Sequence, residues 1–348
     1  MVHFVIVGLL VVASTLGLGL FLTNAPILPL QASEQAITVD WLFNIHWWLI
    51  AFFFSLITVF VLYSVFVFRR KRGERGDGKY VSHNDRLEII WTAIPIGIVL
   101  ILAVIGASTL ADVERRDANA LTVDVYASQW VWRFEYTAEV LTEAGETILT
   151  AVSTDTLVLP KDRQVVLRMR SADVIHSFWV PEFRVKQDVL PGGDEFVREL
   201  RITPNMEGLY KVRCAELCGQ LHYAMLADVQ VVTPAEFDAW LAENAGDCNL
   251  GDEQCGQRWA TTYGCTACHS LTGESGVGPT WLGLFGHDVT LSDGSVVTAD
   301  LEYLHTSIVD PNAQIVQGFQ PGIMPQDFAV RLTEEQIQQI IAFIVSLQ

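Results

Sequence analysis

The chain has 348 residues, of which 51% are hydrophobic and 18% are charged, and its formal net charge is −18. The charged fraction is below the ~25% of ordinary soluble domains, so a purely soluble protein is disfavoured and a disordered chain is excluded. A nucleic-acid partner is not expected, since phosphate binding needs a clustered surface of Lys and Arg.

Three stretches near the N-terminus contain no charged residue, namely 1–33, 41–68 and 89–111. A bilayer core of ~30 Å needs about 20 helical residues, so each stretch predicts a transmembrane helix. The first stretch could also be a signal peptide cleaved near Ala32. Because its N-terminal region has neither Lys nor Arg, we expect a retained helix instead.

A cationic cluster directly follows the second stretch. It contains Arg69, Arg70, Lys71, Arg72 and Arg75. The positive-inside rule assigns such a cluster to the cytoplasm. We therefore expect everything after the third stretch to lie on the external side of the membrane.

The next region, from 121 to 232, has the apolar period of β-strands. Short runs rich in β-branched residues, such as 122–126, 165–169 and 228–232, are separated by turn residues such as Pro160. Many short strands at this spacing predict a β-sandwich or barrel.

A helical region is predicted to begin at Thr233, where the order Thr-Pro-Ala-Glu fits a capping box with proline in the first turn. From 234 to 348 there are 15 Asp and Glu against 2 Lys and Arg, so this region carries 15 − 2 = 13 of the 18 net negative charges. The apolar spacing after Thr333 predicts a closing helix.

One group of residues combines thiol, imidazole and thioether side chains. It consists of His176, Cys214, Cys218, His222 and Met225. Such ligands favour copper, and a single-copper electron-transfer site would use only one cysteine. Two bridging sulfurs suit a pair of copper ions. From spacing alone, a Cys214–Cys218 disulfide, a tetrahedral zinc site and an unrelated core pair remain alternatives.

The pattern Cys-x-Glu-x-Cys-Gly-x-x-His-x-x-Met, with Asp-Val-x-His-Ser-Phe-x-Val-Pro upstream, resembles subunit II of haem-copper cytochrome c oxidases. The resemblance covers about 41–232. It implies a cupredoxin-like Greek-key barrel that holds the dinuclear copper centre CuA. The implied copper ligands are His176, Cys214, Cys218, His222, Met225 and the backbone carbonyl of Glu216.

The same resemblance implies roles for three further groups. The Glu216 carboxylate would bind a magnesium ion at the interface with subunit I, since a hard cation takes oxygen ligands. Trp130 would be the residue through which electrons enter CuA, and otherwise it is a strand aromatic in a core. Glu88 would lie at the cytoplasmic mouth of a proton pathway into subunit I, and otherwise it is an ordinary carboxylate at the start of a helix.

A second motif, Cys265-Thr-Ala-Cys268-His269, is the signature of covalent c-type haem attachment, with His269 as the proximal iron ligand. Met324 is the only methionine after Met225 and is the predicted sixth ligand. A redox Cys-x-x-Cys pair and half of a zinc site are the alternatives. The segment 252–348 resembles class I cytochrome c.

Two cysteines and two histidines of this last region have no assigned role. Outside the cell a short-range disulfide between Cys248 and Cys255 is the simplest expectation. His287 and His305 are alternative iron ligands, although lone histidines are more often surface or packing residues.

The predicted fold class is a multidomain membrane protein with transmembrane helices, an all-β cupredoxin-like barrel and an all-α class I cytochrome c domain. The expected boundaries are an N-terminal helix or signal segment at 1–33, a helical hairpin at 41–111, a copper domain at 112–233, a linker at 234–251 and a cytochrome c domain at 252–348.

The resemblance as a whole implies subunit II of a proton-translocating cytochrome c oxidase with a fused cytochrome c domain, in the plasma membrane of a prokaryote. Electrons would pass from an external donor, which is a cytochrome, a copper protein or a quinol-oxidising complex, through haem c to CuA. The oxygen-reducing site would lie in subunit I, with subunit III as a further partner. The alternatives are a CuA-containing nitric oxide reductase and a self-standing membrane-tethered electron carrier.

Overall fold

The computed structural model describes residues 1–70, 72–73, 80, 82–141, 147–245, 248 and 250–348, without the side chains of 140–141, 147–148 and 194. Lys71 and Arg75 of the cationic cluster lie outside these residues. The chain divides into two compact units. The first comprises Met1–Asp117, Pro181–Val185 and Arg201–Asn205, and the second comprises Ala118–Val180, Lys186–Leu200 and Met206–Gln348.

Three helices in the described residues of the first unit are long and apolar enough to cross a membrane, which confirms the predicted apolar helices. They are α1 (Val2–Asn24), α2 (Glu34–Val67) and α3 (Asp85–Val113). Helix α2 begins well before the uncharged stretch because Ser33 caps it, its Oγ accepting a hydrogen bond from the Ala36 N–H at 3.0 Å. A helix cap depends on local hydrogen bonding rather than on the absence of charge, so hydropathy alone misses this start.

Within this unit, a buried ion pair joins Arg184, in the segment Pro181–Val185, to Asp40 of helix α2. Arg184 donates to Asp40 through Nε at 2.8 Å and through Nη2 at 3.1 Å, and its Nη1 donates to the Pro181 carbonyl at 2.7 Å. Gln31 donates to the same Asp40 carboxylate at 2.7 Å. The two charged side chains are only 6% and 13% exposed, so each charge depends on the other for its stability.

Replacing Arg184 by alanine is expected to lower the free energy of unfolding by about 3–5 kcal/mol, because Asp40 would keep a buried charge without its partner. The measurement is thermal or denaturant unfolding of the purified full chain, followed by circular dichroism. The matched control is Lys211→Ala, which breaks an ion pair with Asp228 whose side chains are 49% and 59% exposed. That change is expected to cost less than about 1 kcal/mol. An equal loss of unfolding free energy in Arg184→Ala and Lys211→Ala would contradict the prediction that the buried ion pair matters more than the exposed one.

Among the residues that the structure describes, the first part of the second unit contains ten strands in two five-stranded sheets, which confirms the predicted β-sandwich or barrel class. One sheet has the order β3-β2-β1-β5-β8 and the other has the order β4-β10-β9-β6-β7, with both parallel and antiparallel pairs. The strands are β1 (Leu121–Ser128), β2 (Val131–Leu141), β3 (Thr147–Thr154), β4 (Leu157–Pro160), β5 (Val165–Ser171), β6 (His176–Val180), β7 (Val185–Val189), β8 (Arg198–Ile202), β9 (Gly208–Cys214) and β10 (Leu226–Val232).

The barrel core consists of alternate inward-facing residues of these strands. Its largest fully buried side chains include Trp132, Phe134, Tyr136, Leu167 and Phe178. Non-consecutive strands are neighbours in both sheets, so the chain crosses between the sheets as in a Greek key. This topology brings the start of β6 beside the end of β9, where Phe178 pairs with Cys214.

Helix α4 (Pro234–Asn244) follows the barrel and begins with the predicted capping box between Thr233 and Glu236. Its aromatic residues Phe237 and Trp240 pack against Tyr136 of β2, with ring centroids 6.0 Å and 5.0 Å apart. Aromatic pairs of this geometry add to the stabilisation from buried area. The first half of the segment expected to be a linker is therefore a helix that packs on the barrel.

The C-terminal part of the second unit is mainly helical, as predicted. Its elements are α5 (Asp252–Thr262), α6 (Cys265–Cys268), β11 (Asp288–Thr290), β12 (Val296–Thr298), α7 (Leu301–Val309), α8 (Phe328–Arg331) and α9 (Glu334–Ser346). Helices α5 and α9 cross closely at Gly256, where a Cβ atom would lie 1.9 Å from the Gln339 carbonyl oxygen. The small β11–β12 hairpin is an addition that the helical spacing did not indicate. The predicted disulfide between Cys248 and Cys255 is present.

Candidate metal centre and cofactor cavity

The cysteine loop, residues 214–225, connects the end of β9 to the start of β10. The Cys214 N–H donates to the Met225 carbonyl at 3.2 Å and closes the loop at its base. The antiparallel pairing of β9 and β10 thus places the first and last residues of the loop next to each other. His176 is the first residue of β6, which pairs with β9.

The loop and β6 bring five side chains of the sulfur and imidazole group together. The Sγ atoms of Cys214 and Cys218 are 3.7 Å apart, which is too far for a disulfide. The Cys214 Sγ lies 3.9 Å from the His176 Nδ1, and the Cys218 Sγ lies 3.5 Å from the His222 Nδ1 and 3.7 Å from the Met225 Sδ. Ligand atoms of His176, Cys214 and Cys218 lie within 4.8 Å of one another.

The backbone carbonyl and the side-chain carboxylate of Glu216 lie in different environments. Its backbone carbonyl lies 3.2 Å from the Cys214 Sγ, on the inside of the loop. Its side chain is exposed. The carbonyl is therefore available to the sulfur cluster, whereas the carboxylate is available to a group outside the loop.

The two thiols of the loop have opposite pKa shifts. Burial raises the pKa of Cys214, but hydrogen bonds from His176 and the loop backbone outweigh it and lower the pKa to about 6. Burial and the negative charge on Cys214 raise the pKa of Cys218 to about 12. The site therefore already stabilises one thiolate, the form in which cysteine binds metals.

Asp173 orients the His176 ring, a contact that the sequence did not indicate. The His176 Nε2 is 2.9 Å from the Asp173 Oδ1, and the ring is fully buried. This hydrogen bond occupies the Nε2, so the other ring nitrogen, Nδ1, faces the Cys214 Sγ at 3.9 Å. A carboxylate behind a metal-binding histidine is a common way to fix the ring and its tautomer. The Asp-Val-Ile-His spacing was the available signal for this contact.

The turn between β1 and β2, residues 129 and 130, lies against the cysteine loop. Trp130 Nε1 donates to the Cys218 carbonyl at 3.2 Å, and Gln129 Nε2 donates to the same oxygen at 2.7 Å. Gly219, with φ +120°, permits this approach, since a Cβ there would lie 2.8 Å from the Gln129 Nε2. The structure thus brings Trp130 to the loop.

The second motif lies on the wall of an apolar cavity. His269 Nδ1 is 2.8 Å from the Pro279 carbonyl, which leaves Nε2 free, and desolvation lowers the pKa of His269 so that the imidazole is neutral. Gly278 lies under the ring, where a Cβ would be 2.8 Å from the His269 Cε1. The side chains that line the cavity include Cys265, Cys268, His269, Leu284, Phe319, Met324 and Phe328.

The cavity also contains an unpaired polar atom. Gln314 lines it, and the buried Oε1 of this residue has no hydrogen-bond partner within the part of the chain that the structure describes. Buried polar atoms are nearly always paired, so this oxygen is available to a hydrogen-bond donor inside the cavity. His305 is directed elsewhere and contacts Glu334 at 3.3 Å, and His287 is not among the described lining residues.

Glu88 lies in the first turn of α3. Its Oε1 accepts a hydrogen bond from the Asn84 N–H at 3.1 Å, and the Asn84 side chain caps the helix through the Leu87 N–H. Glu88 therefore takes part in the N-terminal capping of helix α3, as a carboxylate in the first turn of a helix commonly does.

Comparison with known proteins gives three family matches that follow one another along the chain. Residues 22–108 match the transmembrane domain of cytochrome c oxidase subunit II, residues 121–232 match its periplasmic domain, and residues 254–348 match cytochrome c.

Several known proteins are similar to parts of this chain. Cytochrome c oxidase subunit 2 of Synechocystis sp. is 32% identical over 269 residues, which cover 64% of this chain and 77% of that protein. The protein of the same name from Bacillus sp. (strain PS3) is 32% identical over 302 residues, covering 81% and 80% of the two chains. The solved periplasmic domain of subunit II from Bradyrhizobium japonicum is 26% identical and covers 38% of this chain and 96% of that one, with a TM-score of 0.30.

Proposed function

Because the chain belongs to the cytochrome c oxidase subunit II family and ends in a cytochrome c domain, we propose that it is the electron-input subunit of a respiratory terminal oxidase. Electrons would come from an external donor through covalent haem c to the dinuclear CuA centre, and from there to the haem-copper site of subunit I. When bound, haem c and CuA each accept and release one electron. The remaining tasks belong to the side chains of this chain.

The cysteine loop would hold the two copper ions through Cys214, Cys218, His176, His222, Met225 and the Glu216 carbonyl. The donor set fits this group, since thiolates, imidazoles and a thioether are the ligands that copper prefers. The support from the structure is the 4.8 Å cluster and the lowered pKa of Cys214. Asp173 would hold the His176 ring in place before the metal binds.

The cavity would hold haem c through thioether bonds from Cys265 and Cys268 and through iron ligation by His269 and Met324. The mainly apolar lining of the cavity fits a large apolar group such as haem. The neutral His269 ring, fixed by Pro279, presents Nε2 in the form that binds iron. Methionine and histidine ligation raises the haem potential, as an electron carrier requires.

Three residues have finer roles in this proposal. Trp130 would take electrons into CuA, which its hydrogen bond to the Cys218 carbonyl supports. The exposed Glu216 carboxylate would bind magnesium at the interface with subunit I. Glu88 would lie at the cytoplasmic mouth of the proton pathway, although its contact with Asn84 already gives it a role at the helix start.

The partners would be subunit I, subunit III and a donor with a basic docking face, in the plasma membrane of a prokaryote. The donor argument rests on charge, since the region from 234 to 348 carries 13 of the 18 net negative charges. Opposite charges steer encounter between electron-transfer partners. The copper domain and the cytochrome c domain would lie on the external side of the membrane, because the cationic cluster after the second helix is assigned to the cytoplasm.

The observation that carries the proposal is the presence of both sites in one chain, the sulfur and imidazole cluster and the Cys265-to-His269 motif on its cavity. The test is purification of the complex in mild detergent, followed by metal analysis, haem typing and gas-consumption assays with oxygen and with nitric oxide. We expect haem c, two copper ions on this chain, a large partner subunit with its own haem and copper, and oxygen uptake. Nitric oxide consumption without oxygen uptake, or a loaded chain without a partner, would overturn the proposal.

A further inference from the structure

The β1–β2 turn contacts both of the proposed cofactor sites. Ser128, Gln129 and Val131 line the cavity that also contains Cys265 and His269. On its other side the turn contacts the cysteine loop through the hydrogen bonds of Gln129 and Trp130 to the Cys218 carbonyl. The β1–β2 turn, residues 129 and 130, therefore separates the cavity from the cysteine loop where the two sites come near each other.

Gln129 connects the cavity wall to both halves of the proposed copper site. Its side chain donates to the Cys218 carbonyl at 2.7 Å, and its backbone N–H donates to the Asp173 Oδ2 at 2.7 Å. The other oxygen of Asp173 contacts the His176 Nε2. Gln129 is thus hydrogen-bonded directly to Cys218, and it is connected to His176 through the Asp173 carboxylate.

Glycines on both sides of the turn permit these close contacts. A Cβ on Gly219 would lie 2.8 Å from the Gln129 Nε2, and a Cβ on Gly264 would lie 2.7 Å from the Val131 Cγ1. Both glycines have positive φ, +120° and +80°, which other residues rarely adopt. The backbone of the haem-attachment motif and that of the cysteine loop therefore approach the same turn.

A cation–π contact holds the turn beside the haem-attachment motif. The Arg133 guanidinium, at the start of β2, lies 5.4 Å from the ring centre of Tyr263, which precedes Gly264. Arg133 is buried and also pairs with Glu135 at 2.8 Å. Burial of the cation strengthens a contact of this kind, so it stabilises the position of Tyr263 beside β2.

We propose that Gln129 is a positioning residue that couples the haem cavity electronically to the copper site. This inference rests on the proposed function. In the coupled step, haem held by Cys265, Cys268 and His269 would lose one electron and pass from ferrous to ferric, and the oxidised copper pair held by the cysteine loop would gain that electron, with no proton moved and no bond broken. Electronic coupling is stronger through hydrogen bonds than across gaps, and the Gln129 amide provides a hydrogen bond from the cavity wall to Cys218. Trp130 bonds to the same carbonyl but is not among the described cavity residues.

The test substitutes Gln129→Met in the whole complex, which keeps the length of the side chain but removes its amide donor. The matched control is Gln230→Met, at an exposed position of β10. After flash photoreduction with a ruthenium dye, haem and copper absorbance report how fast one electron equilibrates between the two sites. The copper EPR spectrum and midpoint potential are recorded on the same samples.

We expect equilibration in Gln129→Met to be at least about 10-fold slower, in line with the loss of an outer partner of a metal ligand. Haem and copper contents, the copper midpoint potential and the copper EPR spectrum should be unchanged, so that the slower rate reports a loss of coupling, while Gln230→Met should match the unsubstituted protein. Unchanged kinetics in Gln129→Met, or slower kinetics accompanied by a shifted copper potential, would overturn the inference.

A second variant separates coupling from structural support. Gln129→Glu preserves the size of the side chain and the backbone bond to Asp173, but it presents oxygen to the Cys218 carbonyl, so slow equilibration is expected again. If both Gln129→Met and Gln129→Glu lost copper, Gln129 would be needed for the structure of the copper site, and the proposed coupling role would be overturned. Absence of haem or copper from the unsubstituted protein would refute the proposed function instead.

Discussion

A chain with both Cys265 and Cys268 replaced by serine is expected to carry no covalently attached haem, while its copper content stays the same. Serine cannot form the thioether bonds that fix haem to the chain. The two thiols lie with His269 on one cavity wall, and in this structure neither is in a disulfide. Haem staining of the denatured full chain and metal analysis of the native complex measure both outcomes.

The matched control removes the other cysteine pair of the same domain. Cys248→Ser with Cys255→Ser breaks the only disulfide among the described residues, and it should leave haem attachment intact. Its expected effect is a loss of stability of about 2 kcal/mol, since a disulfide restricts the unfolded chain. Haem that stays on the Cys265 and Cys268 variant after denaturation would contradict the assignment of the motif.

The proposed haem-attachment motif could be recognised from sequence because its residues are close in the chain and form an unusual pattern. Cys265, Cys268 and His269 fall within five consecutive residues, and Met324 was singled out by elimination. The structure puts all four on one cavity. The Cys248–Cys255 pairing was also predictable, since the other cysteines had better assignments.

The contacts around the cysteine loop were less predictable because they join distant segments. Asp173 and Gln129 are 44 residues apart and meet only because β1 and β5 are parallel neighbours. Neither residue type is unusual at its position, so composition and spacing gave no signal for Gln129. The sequence indicated the two sites, but the turn between them appears only in the folded chain.

The transmembrane helices were predictable as elements and less so in their bounds. Absence of charge defined the spans, whereas the cap by Ser33 determines where α2 begins. The β11–β12 hairpin was missed for a similar reason. Its strands of three residues are too short to show a period. The hairpin turn between them is closed by a hydrogen bond from the Leu291 N–H to the Ser295 carbonyl at 2.8 Å.

Replacing Cys214 by serine is expected to remove the dinuclear copper centre while leaving the haem in place. Cys214 lies between the His176 ring and the Cys218 thiol, and it is the thiol whose pKa is lowered to about 6. Serine has no soft sulfur and stays protonated at neutral pH, so it cannot bridge two copper ions. Copper per chain should fall from two to at most one, and electron delivery to the partner subunit should fall by about 10-fold or more.

The Cys214→Ser variant and the haem-motif variant are controls for each other, because each should lose one cofactor and keep the other. Loss of both cofactors from either chain would point to a folding defect, which unfolding measurements on the same samples would detect. A Cys214→Ser chain that retains two copper ions and an unchanged EPR spectrum would exclude this thiol as a ligand. Cys218 would then be the thiol of the cluster that remains to bind copper, because the other described cysteines lie in the disulfide and in the proposed haem-attachment motif.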